Sequence, residues 1–191
     1  MAIPDTNNTT PLFVTQQPAW EEGVDLEQGA ASEIMTSRSG IEQRQQRAIR
    51  CRWKMSYRAF LNAAQTKARR KRADAEITSL CWVPFWTERS TTLTTISGNV
   101  VTIDREWSND FFTPGDWVFF DSPTQGQQFR QIDSIGGDTR QLVLAAMGGS
   151  IAFTSGTPVY PCRACVREGG LAEFQEASEA TIRETLNYTT L

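Results

Sequence analysis

The class of fold is indicated by residues 49–58, which read Ile49-Arg-Cys-Arg-Trp-Lys-Met-Ser-Tyr-Arg58. Apolar and basic side chains alternate along this stretch, and a period of two residues is typical of a strand that is buried on one face. A second strand is predicted at residues 32–37, and the turn-forming sequence Arg38-Ser-Gly40 follows it. We therefore expect a β-hairpin with one apolar face and one strongly basic face.

The residues after this strand predict the one helix of the chain. The stretch from Leu61 to Leu80 is rich in Ala, Lys, Arg, Gln and Glu and contains neither Gly nor Pro, a composition that favours helix. Its apolar positions form only a thin stripe, so we expect the helix to pack lightly on a sheet; they are Leu61, Ala64, Ala68, Ala75, Ile77 and Leu80. Pro84 prevents the helix from continuing into the aromatic sequence that follows.

Short strand patterns alternate with turn sequences from Thr91 onward. Gly, Pro, Asn and Asp mark the turns, as in Pro114-Gly-Asp116. Strands at this spacing predict a small antiparallel β-barrel or β-sandwich. The predicted strands are residues 93–96, 100–103, 117–120, 129–135, 141–145, 157–160 and 165–167.

The two ends of the chain are predicted to be extended. Residues 1–30 are polar and contain three prolines, but apolar clusters at residues 12–14 and around Trp20 indicate an arm that lies over its own domain or over a neighbour. Residues 169–191 are acidic, and we expect them to pair with a sheet edge. The predicted organisation is mainly β: an arm (1–30), a hairpin–helix unit (31–90), a small barrel or sandwich (91–168) and an extended acidic segment (169–191).

Charge is distributed unevenly along the sequence. Residues 38–72 contain twelve basic residues and one acidic residue, a balance of +11, whereas the other residues have a balance of −14; the whole chain has a net charge of −3. Such polarity in a small protein predicts contacts between unlike surfaces, within a subunit or between subunits.

The composition argues against an enzyme, and we predict no catalytic and no cofactor-binding residues. The chain contains no His, which is the commonest general base near neutral pH. Nucleophile-elbow and phosphate-binding glycine motifs do not occur in it. No stretch approaches the ~20 apolar residues of a membrane span, and the first residues do not resemble a secretory signal, so we expect folding in the cytoplasm without a membrane partner.

Four cysteines allow two interpretations. Cys162 and Cys165 have the spacing of a metal knuckle, and Cys51 with Cys81 would complete four thiolates for zinc or an iron–sulfur cluster. Strand alternation, however, would place Cys162 and Cys165 on opposite faces. We favour buried thiols without a metal or other cofactor.

The run Lys67-Ala-Arg-Arg-Lys-Arg72 also allows two interpretations. It has the composition of a nucleic-acid patch. The chain as a whole is acidic, so we favour a helix surface that faces solvent or a protein partner, with nucleic acid present only as DNA that passes through an assembly.

Four short motifs, in this order, resemble those of phage and prophage tail proteins. They are Pro18-Ala-Trp20-Glu-Glu-Gly23, Ser37-Arg-Ser-Gly40-Ile-Glu42-Gln-Arg44, Val83-Pro-Phe-Trp86 and Gly156-Thr-Pro-Val-Tyr-Pro161. Together they span residues 18–167, and the order is similar to that of the distal-tail group of baseplate proteins. Members of that group form rings beneath the tail tube and join it to the hub and the receptor-binding parts.

The resemblance implies a structural protein of the virion tail, assembled in the host cytoplasm as a ring of six copies, with tail-tube and hub proteins as further partners. On this basis we expect Trp20, Arg44, Arg47 and Arg50 to mediate contacts between subunits. For the three arginines, ion pairs within one subunit are the alternative. Alternative functions are another tail connector, such as a terminator or adaptor, and a nucleic-acid-binding accessory protein.

Overall fold

The computed structural model has one helix and many strands in the residues it describes. Those residues are 11–29, 32–36, 42–46, 52–92, 98–104, 112–122, 126–136, 140–145, 154–168, 174–178 and 181–190. In chain order the elements are β1 (Leu12–Phe13), β2 (Val24–Gly29), β3 (Ser32–Thr36), β4 (Glu42–Gln46), β5 (Arg52–Leu61), α1 (Ala63–Thr78), β6 (Cys81–Pro84), β7 (Ser90–Thr91), β8 (Val100–Thr102), β9 (Trp117–Ser122), β10 (Gly126–Ile135), β11 (Gln141–Leu144), β12 (Pro158–Arg167), β13 (Phe174–Ser178) and β14 (Thr181–Thr190).

The chain divides into two compact units. Of the described residues, unit 1 contains those within 18–79 and 165–190, and unit 2 contains those within 11–17 and 80–164. Each unit thus combines residues from several of the segments predicted from the sequence. Unit 1 joins parts of the predicted arm, the hairpin–helix unit and the acidic segment, because strands from all three pair in one sheet.

The sheet of unit 1 is antiparallel and has β14 in its interior. β5 pairs with β2 on one side and with β14 on the other, and β14 also pairs with residues 165–167 of β12 and with β13. The C-terminal residues are therefore extended, as predicted, but β14 lies between two strands. The register places Leu186 opposite Tyr57 and Tyr188 opposite Met55, and all four side chains are buried on one face.

The predicted hairpin is correct in part. β3 pairs with β4 in a two-stranded sheet of its own, so the strand at residues 32–36 does have an antiparallel partner that is close in sequence. The alternating stretch that suggested the hairpin forms β5, which pairs with β2 and β14 instead. Met55, Tyr57 and Ala59 of β5 are buried. The larger sheet buries these side chains because one of its faces is covered.

α1 begins at a capping box. The backbone N–H of Gln65 donates to Asn62 Oδ1, and the backbone N–H of Asn62 donates to Gln65 Oε1, each at 2.9 Å. This reciprocal pair satisfies two donors that a helix start leaves open. The helix is confirmed. Its predicted apolar stripe is wrong at Ala64 and Ala68, whereas Leu61 is buried, and the side chains of Ala75 and Ile77 lie outside the described part of the chain. Ala64 and Ala68 are exposed, whereas the buried positions include Arg69 and Glu76.

Unit 2 is a mainly antiparallel sheet that is sandwich-like and, over the described residues, does not close into a barrel. β9 pairs with the first residues of β12 and with β10, and β10 continues through β11 to β8. Side chains from these strands and from neighbouring segments form the core: Val101, Ile103, Phe112, Val118, Phe120, Ile132, Leu142, Leu144 and Val159. The prediction of a mainly β fold with one helix is confirmed.

The first apolar cluster of the predicted arm packs within unit 2. β1 pairs in parallel with β6, and the ring of Phe13 lies 4.3 Å from that of Phe129 and 4.7 Å from that of Trp117, measured between centroids. This part of the predicted arm therefore packs on its own chain, which is the first of the two alternatives. None of the helices among the described residues is long and apolar enough to cross a membrane.

Candidate subunit interface and buried ion network

Trp20 lies on a turn of unit 1 that a hydrogen bond fixes to β5. The backbone N–H of Ala19 donates to the carbonyl oxygen of Arg58 at 2.7 Å, and that of Glu22 donates to Ala19 at 2.8 Å. The Arg58 guanidinium also lies 3.3 Å from the Glu22 carboxylate. The indole of Trp20 nevertheless leaves 54% of its surface exposed. A fixed backbone therefore presents a large apolar side chain to solvent.

The three arginines predicted at the interface are not brought together with Trp20 by anything the structure describes. Arg44 lies in β4, opposite Ile34 of β3, and its side chain is outside the described part of the chain. Arg47 and Arg50 lie outside the described residues altogether. Of the four residues predicted at the interface, Trp20 is the one whose side chain the structure describes.

The basic face of β5 takes part in ion pairs inside unit 1. Lys54 Nζ lies 3.2 Å from Glu168 Oε2, and Arg58 pairs with Glu22. A hydrogen bond from the Thr189 hydroxyl is the main reason why the pKa of Glu168 is lowered from its ordinary value; Lys54 adds to this effect, and partial burial opposes it. These exposed pairs set local charge balance and contribute little to stability.

The cysteines in the described residues are buried thiols. Cys81, Cys162 and Cys165 have almost no exposed surface and form no disulfide, and the thiol of Cys162 makes a long contact of 3.9 Å with the carbonyl oxygen of Tyr160. No group of three or more metal-ligating side chains occurs within the described ranges. Cys51 lies outside them, so the four-thiolate cluster, which was the less favoured alternative, is not tested.

The structural feature that sequence reasoning missed is a buried ion network in unit 1. The Nε of Arg69 donates to both oxygens of Glu184, at 2.8 and 3.1 Å, and its Nη1 donates to Glu76. Arg167 donates from Nη2 to Glu184 Oε1 at 3.1 Å, and its Nη1 lies 3.6 Å from Glu76 Oε2. Two guanidinium groups and two carboxylates therefore neutralise each other, with side-chain exposures between 0 and 3%.

Tyr188 closes the ion network. Its hydroxyl accepts a hydrogen bond from Arg69 Nη2 and donates one to Glu76 Oε2, each at 3.2 Å. The network joins three elements, because Arg69 and Glu76 lie on α1, Arg167 on β12, and Glu184 with Tyr188 on β14. Charge and hydrogen bonds between these side chains thus link the helix to the sheet.

The surroundings of Arg69 keep its guanidinium charged. Burial is the largest single influence and by itself would lower the pKa of Arg69, but Tyr188, Glu76 and Glu184 together outweigh it and raise the pKa above its ordinary value. A charge that is fully paired and closed to solvent acts as a structural element; a substrate would have to open the unit to reach it.

The sequence contains a weak signal for this network. Arg69 and Glu76 are seven residues apart, which places them two turns apart on one side of a helix. Glu184 occupies the alternation position shared by Leu186 and Tyr188 in β14, where a buried residue is expected. An acid at an inward-facing strand position could have suggested a basic partner, but the sequence offers twelve candidates between residues 38 and 72.

Comparisons with protein-family models and with curated proteins return no match.

Proposed function

We propose that this chain is a non-enzymatic structural subunit that assembles with copies of itself into a ring, at the tail tip of a bacteriophage. The observation that carries the assembly proposal is the exposed indole of Trp20 on a fixed turn. Trp is highly buried on average in monomeric proteins, and it is one of the residues most enriched among the energetic hot spots of interfaces. A Trp held in a defined place and half open to solvent is suited to insertion into a neighbouring subunit.

The tail-tip part of the proposal is supported by the motifs that resemble tail proteins, because they coincide with positions on which the fold depends. Val83, Phe85 and Trp86 are buried in unit 2. Gly156 has a φ of 87°, which glycine adopts readily, and residues 157–161 lead into and begin β12. The partners we propose are further copies in a ring of six, the tail tube and the hub, and the proposed location is the virion.

Trp20→Ala tests the assembly proposal. We expect the purified variant to keep the secondary structure and unfolding midpoint of the wild-type chain, because more than half of the indole is already in water. Self-association should weaken by about thirtyfold or more, which corresponds to the threshold of about 2 kcal/mol for a hot-spot side chain. Sedimentation velocity over a concentration series measures it, and electron microscopy of the assembled fraction shows whether rings form.

Val100→Ala provides a matched control, because Val100 is an exposed apolar side chain (44%) in unit 2. This variant should assemble like the wild-type chain. If Trp20→Ala and Val100→Ala both assemble normally, Trp20 is not an interface anchor. Mass spectrometry of purified virions tests the location separately, and absence of the chain from tails would contradict the tail-tip proposal.

A further inference from the structure

The solvent side of α1 presents three cations that the rest of the described chain does not neutralise. Lys67, Lys71 and Arg72 are exposed and make no ion pair or hydrogen bond with any described residue. Basic residues elsewhere in unit 1, such as Lys54 and Arg58, do have acidic partners. Lys67 and Lys71 are four residues apart, so their like charges repel each other along the helix. We call these three residues the basic strip.

Unit 1 also presents an acidic surface that forms no ion pair with the cations of the described residues. Asp25 and Glu27 are exposed on β2, which is the outermost strand of the unit 1 sheet among the described strands. Glu21 is exposed in the preceding turn, beside Trp20 in the sequence. No described cation forms an ion pair with any of these three acids. We call Glu21, Asp25 and Glu27 the acidic edge.

The register of the sheet places the two surfaces on opposite sides of unit 1. Leu26 pairs with Met55 of β5, which is buried on the face that also bears Glu184, and Arg69 of α1 contacts Glu184 on that face. α1 therefore covers the face toward which Leu26 points. Since side chains alternate along a strand, Asp25 and Glu27 point to the opposite face, so the basic strip and the acidic edge of one molecule cannot meet.

We propose that the basic strip of one copy binds the acidic edge of the next copy. The partner is a second copy of this chain because the charges match, three cations against three anions, and because neither surface forms an ion pair with another described residue of its own molecule. A contact between two different surfaces of identical subunits is heterologous, so repeating it by a closing rotation gives a ring. This inference rests on the proposed function and specifies its contact surfaces, with Trp20 as the apolar anchor beside the acidic edge.

Charge reversal on each surface tests the contact in the full-length chain. Lys67→Glu with Lys71→Glu makes the strip acidic, and Asp25→Lys with Glu27→Lys makes the edge basic; all four side chains are exposed, so the fold should persist. Each double variant alone should self-associate about tenfold to a hundredfold more weakly than the wild-type chain, as measured by sedimentation velocity at low salt. Wild-type association should also weaken as salt is raised.

Mixing the two double variants is the decisive measurement, because each then offers the other a complementary pair of surfaces. We expect the mixture to recover assemblies that neither variant forms alone, which a misfolded variant could not do. If the wild-type chain assembles but the variants do so equally well, or if the mixture shows no recovery, the contact is wrong while the ring proposal stands. A wild-type chain that remains monomeric overturns the ring and the contact together.

Duplex DNA is the competing ligand for the basic strip. We expect the wild-type chain to bind a duplex no more tightly than the Lys67→Glu, Lys71→Glu variant does. If instead the reversal abolishes a salt-sensitive binding to DNA and leaves self-association unchanged, the strip is a nucleic-acid surface and the proposal is overturned.

Discussion

Replacing Glu184 by Gln should be among the most damaging single changes in the chain. The Glu184 carboxylate has no exposed surface and accepts three hydrogen bonds, two from Arg69 Nε and one from Arg167. Gln keeps the shape but removes the negative charge, and its amide N–H₂ would face guanidinium donors. Two guanidinium groups would then share one carboxylate inside the protein. Breaking one partner out of a buried ion network costs about 3–5 kcal/mol, and we expect that loss in the free energy of unfolding.

Urea unfolding followed by circular dichroism at 222 nm measures the loss, because α1 belongs to unit 1 and carries two members of the network. Glu168→Gln is the matched control. It makes the same chemical change at a carboxylate that is 37% exposed and paired with Lys54, and it should cost at most about 1 kcal/mol.

A second variant separates the charge effect from simple loss of contacts. Replacing both arginines of the network by Met and both glutamates by Leu removes all four charges together, and such replacements are often neutral or stabilising. We expect this variant to be more stable than Glu184→Gln. Equal costs for Glu184→Gln and Glu168→Gln would refute the reasoning, since an uncompensated buried charge would then have no measurable penalty.

Two further predictions concern unit 2. Gly115 has a φ of 92°, and its N–H donates to the carbonyl oxygen of Ile132 at 2.8 Å. Gly115→Ala should therefore lower the free energy of unfolding by about 1–2 kcal/mol, as measured by thermal unfolding. A change near zero would show that the turn relaxes to accept the new side chain. Burial raises the pKa of Tyr160 above its ordinary value of 10.0, with Arg89 opposing and Asp121 adding to the shift. Because the folded pKa is the higher one, the neutral phenol stabilises the fold fully below pH 10, and this contribution is lost as pH rises through the folded pKa. Tyr160→Phe should make stability less dependent on pH in that range, and an unchanged slope would contradict the assignment.

The elements that could be predicted from the sequence have local signals. α1 was recognisable from composition over its length, and β8 to β11 were recognisable because Pro-Gly and similar turn sequences separate them in the sequence. Residues 158–160 and 165–167, predicted to lie in two strands, belong to the single strand β12, and the strand predicted at residues 93–96 lies outside the described residues. β1, β6 and β7 were not predicted. β5 was recognisable as a strand from its alternation, but its partners were not. Pairing depends on residues more than 100 positions away: Met55 lies opposite Tyr188, and nothing in either local sequence specifies the other.

The ion network that links α1 to the sheet could not be predicted, because the contacts it makes are between charged side chains. The stripe Leu61, Ala64, Ala68 follows the usual rule for helix burial, yet Ala64 and Ala68 are exposed and Arg69 is buried. A buried Arg requires carboxylates, and Glu184 comes from a distant strand. Of the candidate interface, Trp20 could be selected from the sequence. That Lys67 and Asp25 form no ion pair within the described part of the chain follows only from knowing which charges are neutralised elsewhere.

The separation of Arg69 from Glu184 by 115 residues has a consequence for biosynthesis. A chain emerging from the ribosome exposes α1 long before β14 has been made, so Arg69 has no carboxylate from that strand to bury it, and unit 1 cannot close around its helix. Non-local pairing of this kind delays folding. A chain that lacks β14 therefore cannot complete the ion network, and unit 1 stays open around Arg69 until Glu184 has been synthesised.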